Sequence, residues 1–157
     1  MTGQKRRIAV ITTSRADYGI YRPLLARLED DGAIELQLIV SGTHLEPAFA
    51  MTVGEIEADG FPIAERVEIF LSAEDSQIGT AQSMARGLSG FAEAYGRLRP
   101  HMAVVLGDRF EMFSAAAAAQ PFALPLAHIH GGELTLGAMD DGFRHAMTKL
   151  SHLHFTA

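Results

Sequence analysis

Short apolar runs alternate with segments of helical periodicity along this chain, and that alternation leaves few architectures open to it. Ile8-Ala9-Val10-Ile11 is continuous and β-branched, the pattern of a parallel strand covered on both faces. From Tyr18 to Glu29, Tyr18, Tyr21, Leu24, Leu25 and Leu28 recur at steps of three and four, which predicts a helix that Gly32 stops. Ile34 to Val40 reads as a second strand, and a loop carrying Gly42, Thr43 and His44 leads to a predicted helix around Ala48 to Asp59. Ile63 to Leu71 sets Val67, Ile69 and Leu71 against Arg66, Glu68 and Phe70, predicting a third strand at an edge. A long helix is expected from Ser76 to Leu98, with Ile78, Ala81, Met84, Ala85, Leu88, Phe91, Ala92, Tyr95 and Leu98 on its apolar face and Pro100 as its stop. Glycines 79, 87, 90 and 96 each weaken that helix by up to ~1 kcal/mol relative to alanine. Ala103 to Leu106, Leu124 to Ile129 and His152 to Thr156 complete the strands, with helices at Phe110 to Gln120 and Asp140 to Leu150. The fold class is therefore α/β, a doubly wound, Rossmann-like and mostly parallel sheet.

With 157 residues, 48% of them hydrophobic, one ordinary core and a single domain over residues 1–157 are expected. The sequence stops directly after its last predicted strand, so a fragment of a larger protein is expected. A net charge of −6 argues against nucleic acid as a partner. The lack of cysteine rules out disulfides and thiolate metal sites within the chain and fits a reducing compartment. The apolar run at Ile8 is too short for a signal peptide, and the alanine-rich stretch Phe113 to Ala127, broken by Pro121 and Pro125, is short of the ~20 apolar residues of a bilayer span. A cytoplasmic protein without a membrane segment is expected.

Ligands of open α/β sheets bind beyond the carboxyl ends of the strands. Four polar loops fall there: Thr12 to Asp17, Ser41 to His44, Gly107 to Arg109, and His128 to Glu133. Neither a GxGxxG nor a GxxxxGK[ST] is present, so no dinucleotide fingerprint or P-loop accounts for them. Ser14 and Arg15 open a helix, where free N–H groups favour an anion and a guanidinium binds phosphate oxygens in bidentate fashion; the plainer reading is that Ser14 only caps the helix. Asp108 either stands as a site carboxylate beside Arg109 or caps the helix starting near Phe110. His130-Gly131-Gly132-Glu133 combines an imidazole, glycines that permit close backbone approach and a carboxylate. Asp140 and Arg144, spaced i, i+4, are open to reading as a surface pair. Asp108, Glu133 and Asp140 together offer the divided protonation that acid and base chemistry needs. His128, His130, His145, His152 and His154 do not follow an established zinc spacing such as HExxH, so no metal site is expected.

TTSRADYGIYRPLL, VSGTHL, VVLGDRFEMFSAA and PLAHIHGGELTLGAMDDGFRHAMTKLSHLHF, in this order from about Ile8 to Ala157, resemble the hydrolysing UDP-N-acetylglucosamine 2-epimerases of sialic acid biosynthesis. The resemblance implies the N-terminal half of a glycosyltransferase-B-like pair of Rossmann-type domains, with the nucleotide held mostly by a second domain that this sequence lacks. It implies conversion of UDP-N-acetylglucosamine to N-acetylmannosamine and UDP through 2-acetamidoglucal, without a redox cofactor or essential metal. Asp108, Glu133 and Asp140 match the family's catalytic carboxylates, with Asp141 as the alternative to Asp140. Arg15 matches its phosphate-contacting arginine; Ser14, His44, Arg109, His130, Arg144 and His145 are the remaining candidate substrate contacts. A homodimer or tetramer is implied for the intact protein, and the helix from Ser76 to Leu98 is a candidate interface. Rival readings are an epimerase of UDP-diacetamidobacillosamine or a GDP-linked amino sugar, a glycosyltransferase of the same fold, and a non-catalytic module, whose mark would be lost carboxylates.

Overall fold

The computed structural model describes residues 4–70, 76–134 and 139–156. Six parallel strands form one sheet in the order β3-β2-β1-β4-β5-β6. They are β1 (Arg6–Thr12), β2 (Ile34–Ser41), β3 (Ile63–Val67), β4 (Met102–Leu106), β5 (Leu126–Gly131) and β6 (Leu153–Thr156). The connecting helices are α1 (Arg15–Asp30), α2 (Val53–Ala58), α3 (Gln77–Leu98), α4 (Phe110–Ala119) and α5 (Met139–Leu150). β1 pairs with β2 from Arg6↔Ile34 to Thr12↔Val40, and on its other side with β4 from Ile8↔Met102 to Val10↔Val104. Strand order thus reverses at β1 and β4, and right-handed crossovers on the two sides of that point send α1 and α2 to one face and α4 and α5 to the other. The expected doubly wound parallel sheet is the observed one.

The central strands are covered on both faces: Ala9, Val10, Ile11, Leu38, Ile39, Ala103 and Val105 are fully buried. Continuous apolar runs rather than alternation are what such strands need. β3 is an edge strand, as its alternation predicts, but it ends at Val67; Ile69 is buried beyond the ladder, and Leu71 lies outside the described residues. The helix expected over Ala48 to Asp59 is divided instead into a 3₁₀ turn at Pro47–Phe49 and the short α2, separated by Ala50 and Met51, whose φ values of 66° and 45° no α-helix continues through. β5 starts two residues later than predicted, because Pro125 brings no N–H to a ladder and its carbonyl instead accepts from Ala103.

The largest difference concerns α3. Its buried stripe is Ser83, Gly87, Phe91, Ala94 and Tyr95, whereas Ile78 and Leu88 are 72% and 45% exposed. Apolarity counted by size misplaced the face in its first half, where the contact is made by small residues. A Cβ on Gly87 would sit 3.0 Å from Ser114 Cβ, and one on Gly90 would sit 2.7 Å from Val67 Cγ1. Two of the four helix-weakening glycines are therefore what lets α3 approach β3 and α4. The partner face of α4 is built the same way, with Ala115, Ala116, Ala118 and Ala119 all buried. Tyr95 Oη donates to the Ala115 carbonyl at 3.1 Å and fixes the register of the two helices.

No helix among the described residues is long and apolar enough to cross a membrane. Gly96 has nothing within 4 Å of an added Cβ, so Gly96→Ala should stabilise the chain by roughly 0.5–1 kcal/mol. Gly90→Ala, with the same propensity gain, should destabilise it by about 1–3 kcal/mol through overpacking against Val67. Urea titrations of the two variants check the contrast.

Candidate functional site

β1 delivers Thr13 and Ser14 to the sheet edge, and Asp17 pulls the chain into α1. Its buried carboxylate accepts from Thr13 N at 3.1 Å and Thr13 Oγ1 at 2.7 Å, while Ser14 Oγ accepts from Asp17 N at 3.3 Å. Ser14 is thus the N-cap of α1, the plainer of the two readings, and it also lines the cleft described below. Thr43 N donates to the Thr13 carbonyl at 2.9 Å, and Gly42 makes this approach possible: its φ is +59°, and a Cβ there would lie 2.5 Å from the same carbonyl oxygen.

These loops wall an open cleft of about 680 Å³. Ser14, Arg15, Thr43 and Arg109 supply its polar side; Phe70, set edge-on to Phe110 with ring centroids 6.2 Å apart, supplies much of the apolar one. Phe49 packs on Phe70 at 6.2 Å and extends this wall. The arginines are anchored differently. Arg15 is 74% exposed and meets Glu55 at 3.0 Å, a solvated pair that contributes little. Arg109 meets Glu111 through both Nη2 (2.6 Å) and Nε (3.2 Å), and Glu111 is fully buried. Burial opposes the Arg109 charge, but the hydrogen bonds and charge of Glu111 outweigh it and hold the guanidinium above its usual value, with smaller contributions from Asp17 and Asp140.

His44 lies beneath this cleft rather than along its lining. It is fully buried, with Nε2 2.9 Å from Thr12 Oγ1 and Nδ1 2.7 Å from Thr52 Oγ1, so both ring nitrogens are engaged in joining β1 to the start of α2. Burial holds the imidazole below its ordinary value, against the pull of Asp17.

A second cluster lies beside the cleft, at the ends of β4 and β5. Asp108 is not a helix cap: the N-cap of α4 is Arg109, without a side-chain cap bond, and the Asp108 carboxylate instead accepts from Arg144 Nη2. The other terminal nitrogen of Arg144 donates to Glu133 Oε2 at 3.1 Å. Arg144 is only 7% exposed, so it is no surface partner of Asp140; α5 aims it inward to bridge carboxylates from two different strand ends. His130 Nδ1 meets Glu133 Oε1 at 3.0 Å. His130 carries a φ of +58° and breaks the β5 register, which releases its ring from the buried face that His128 occupies. The hydrogen bond from His130, with the charges of His130 and Arg144, holds Glu133 below the usual carboxylate range despite some desolvation.

Of the paired aspartates on α5, Asp141 faces His145 at 3.4 Å, whereas the charge of Asp140 reaches Arg109. Asp108, Glu133, His130 and Arg144 are therefore one cluster, and Ser14, Arg15 and Arg109 one cleft. His145, 56% exposed, belongs to neither by contact. Asp17 and Glu111, the buried carboxylates that hold the arginine-bearing loops, were missed by the motif reading. The signal for Glu111 was present: a carboxylate two residues from Arg109 in the first turn of a helix that is otherwise almost wholly apolar.

His130→Ala should raise the titration midpoint of Glu133 more than Arg144→Lys does, read from the carboxyl carbon by NMR, because the imidazole bond is the larger cause of the depression. A depressed carboxylate stabilises the fold above its unfolded value and loses that contribution as pH falls through the folded value. The acid side of the wild-type stability profile should therefore flatten in His130→Ala.

The family described as UDP-N-acetylglucosamine 2-epimerase matches residues 26–157. The GDP/UDP-N,N'-diacetylbacillosamine 2-epimerase (hydrolyzing) of Campylobacter jejuni is 42% identical over 153 residues, covering 98% of this chain and 39% of that protein. The UDP-N,N'-diacetylbacillosamine 2-epimerase (hydrolyzing) of Legionella pneumophila is 41% identical over 152 residues, covering 97% of this chain and 40% of that protein. The crystal structure of UDP-GlcNAc 2-epimerase from Neisseria meningitidis bound to UDP-GlcNAc superposes with a TM-score of 0.82 over 96% of this chain and 39% of that one, at 18% identity, which shows the shared fold. The chain thus spans about two fifths of the length of its curated relatives, and with matches of this extent it belongs to the UDP-N-acetylglucosamine 2-epimerase family.

Proposed function

We propose that this chain is the N-terminal domain of a hydrolysing 2-epimerase that acts on a UDP-linked 2-acetamido sugar, UDP-N-acetylglucosamine in the first reading, with a second, nucleotide-holding domain closing over the sheet edge. The observation that carries the reading is the cluster in which Arg144 bridges Asp108 and Glu133 while His130 bonds Glu133. The reaction removes the proton at C2 and expels UDP from C1 to give 2-acetamidoglucal. Water then adds at C1 and a proton returns to C2 from the opposite face, releasing N-acetylmannosamine. Such chemistry needs a base held ionised and an acid within reach. Glu133, held ionised by the bond from His130, orients that imidazole through its Nδ1–H, and His130 Nε2 is left to accept a proton on its own face of the sugar. Asp108 and Asp140 supply carboxylate character on the neighbouring strand end and helix start. Ser14, Arg15 and Arg109 present donors suited to diphosphate oxygens at the adjoining cleft.

The relatives at 42% and 41% identity favour a second substrate, UDP-N,N'-diacetylbacillosamine. That sugar bears an acetamido group at C4 and a methyl at C6 where N-acetylglucosamine bears hydroxyls. The apolar wall of Phe49, Phe70 and Phe110 supports it, because a methyl in place of a hydroxymethyl group can use contact area where no hydrogen-bond partner is offered.

The test is an NMR assay in deuterium oxide of the protein with its second domain in place. Each nucleotide sugar is offered in turn, without an acceptor. Release of the free 2-epimeric sugar carrying deuterium at C2, reduced about a hundredfold or more in folded Asp108→Asn and Glu133→Gln variants, is the expected result. UDP release that requires an acceptor sugar would replace this reading with a transferase.

A further inference from the structure

We propose that His128, which the proposed chemistry leaves unused, is the positioning residue for Asp108: its buried imidazole locks the Gly107 peptide and ties it to α5. The proposal rests on reading Asp108 as a site carboxylate. His128 is fully buried on β5, with Nε2 2.8 Å from the Gly107 carbonyl oxygen and Nδ1 3.0 Å from Thr148 Oγ1. A carbonyl can only accept, so Nε2 carries the hydrogen; in the neutral ring Nδ1 is then the lone pair and accepts from the Thr148 hydroxyl. The two contacts assign one neutral tautomer. Burial, which holds this imidazole below its ordinary value, supports the assignment.

Gly107 is the point at which β4 bends toward α4, with a φ of +74°. Its N–H donates to the Ile129 carbonyl at 2.9 Å, and its carbonyl accepts from His128. Both polar atoms of the residue before Asp108 are thus bound to β5. Thr148 stands one turn beyond Arg144 on α5, so the same helix grips Asp108 twice, at its carboxylate through Arg144 and at its backbone through Thr148 and His128. Gly131 leaves the room: its φ is not positive, but a Cβ there would lie 2.9 Å from His128 Nδ1 and 3.0 Å from Thr148 Oγ1. Space, rather than backbone freedom, requires that glycine.

The experiment pairs nitrogen NMR of the histidine ring with steady-state kinetics, in the protein with its second domain in place. The wild type should show His128 protonated at Nε2 alone, and still so at a pH where an ordinary imidazole has begun to take up its second proton. His128→Gln retains a donor toward Gly107 and should keep kcat within about threefold. His128→Leu keeps the bulk but not the donor, and should lower kcat about tenfold or more with KM little changed, because a displaced Asp108 affects the reacting geometry more than binding. Should that variant not fold, Thr148→Val, nearly isosteric, should accelerate amide exchange at Gly107 and Asp108 and lower kcat in the same sense. A hydrogen at Nδ1, a charged ring, or a folded His128→Leu or Thr148→Val enzyme with wild-type kcat would overturn the proposal. Absence of turnover on every nucleotide sugar would instead remove the epimerase reading, while the tautomer and exchange measurements would still decide the positioning role.

Discussion

The cleft edge of this domain depends on one guanidinium. Arg144 is nearly inaccessible to water and would be costly to bury alone, since an uncompensated interior charge destabilises a fold by several kcal/mol. Two carboxylates compensate it, and they come from the ends of different strands. The hydrogen-bonded arrangement can be satisfied only when β4, β5 and α5 are all in place. His130, bonded to Glu133 at 3.0 Å, extends the network to the end of β5. An ion-pair network of this kind is weak evidence for stability. It is better understood as a device that fixes two acidic side chains relative to one another.

Close packing behind the sheet makes such fixing possible. α4 has buried alanines on most of its surface, and α3 meets it and β3 through glycines whose replacement would collide with Ser114 or Val67. Small side chains lose few rotamers on burial and bring backbones near each other. The helices therefore hold their strands in place with little freedom, and the loops at the strand ends inherit that rigidity. The aromatic residues Phe91 and Tyr95 occupy the second half of α3 and are almost completely buried there.

The architecture was legible because buried parallel strands write themselves as unbroken apolar runs, and Ile8 to Ile11 and Ala103 to Leu106 do so. The four site loops were legible for a related reason: in a doubly wound sheet, a polar stretch after such a run can only fall at the carboxyl edge. The face of α3 was not, since a contact made by Ser83, Gly87 and Gly90 carries no hydrophobic signal. Nor was the partner of Arg144. Sequence spacing offered Asp140 at i, i+4, and nothing local says that the side chain turns inward to residues eleven and thirty-six positions away. The break in the helix after Phe49 was hidden too, because Ala50 and Met51 are ordinary helix formers that adopt positive φ here.

The two arginines of the cleft show how local chemistry divides labour before any ligand arrives. Each already has a carboxylate, so the cleft holds no net positive charge from them when empty. A diphosphate can compete with Glu55 for Arg15 at small cost, because that pair is solvated and both side chains are free to swing. It cannot displace Glu111 from Arg109, whose carboxylate is buried and would be left without its cation. Arg109 can therefore offer only the donors that Glu111 leaves, in a direction set by the protein, whereas Arg15 can follow the phosphates. A fixed donor beside an adaptable one suits an anionic ligand that must enter the cleft, be oriented there and leave again.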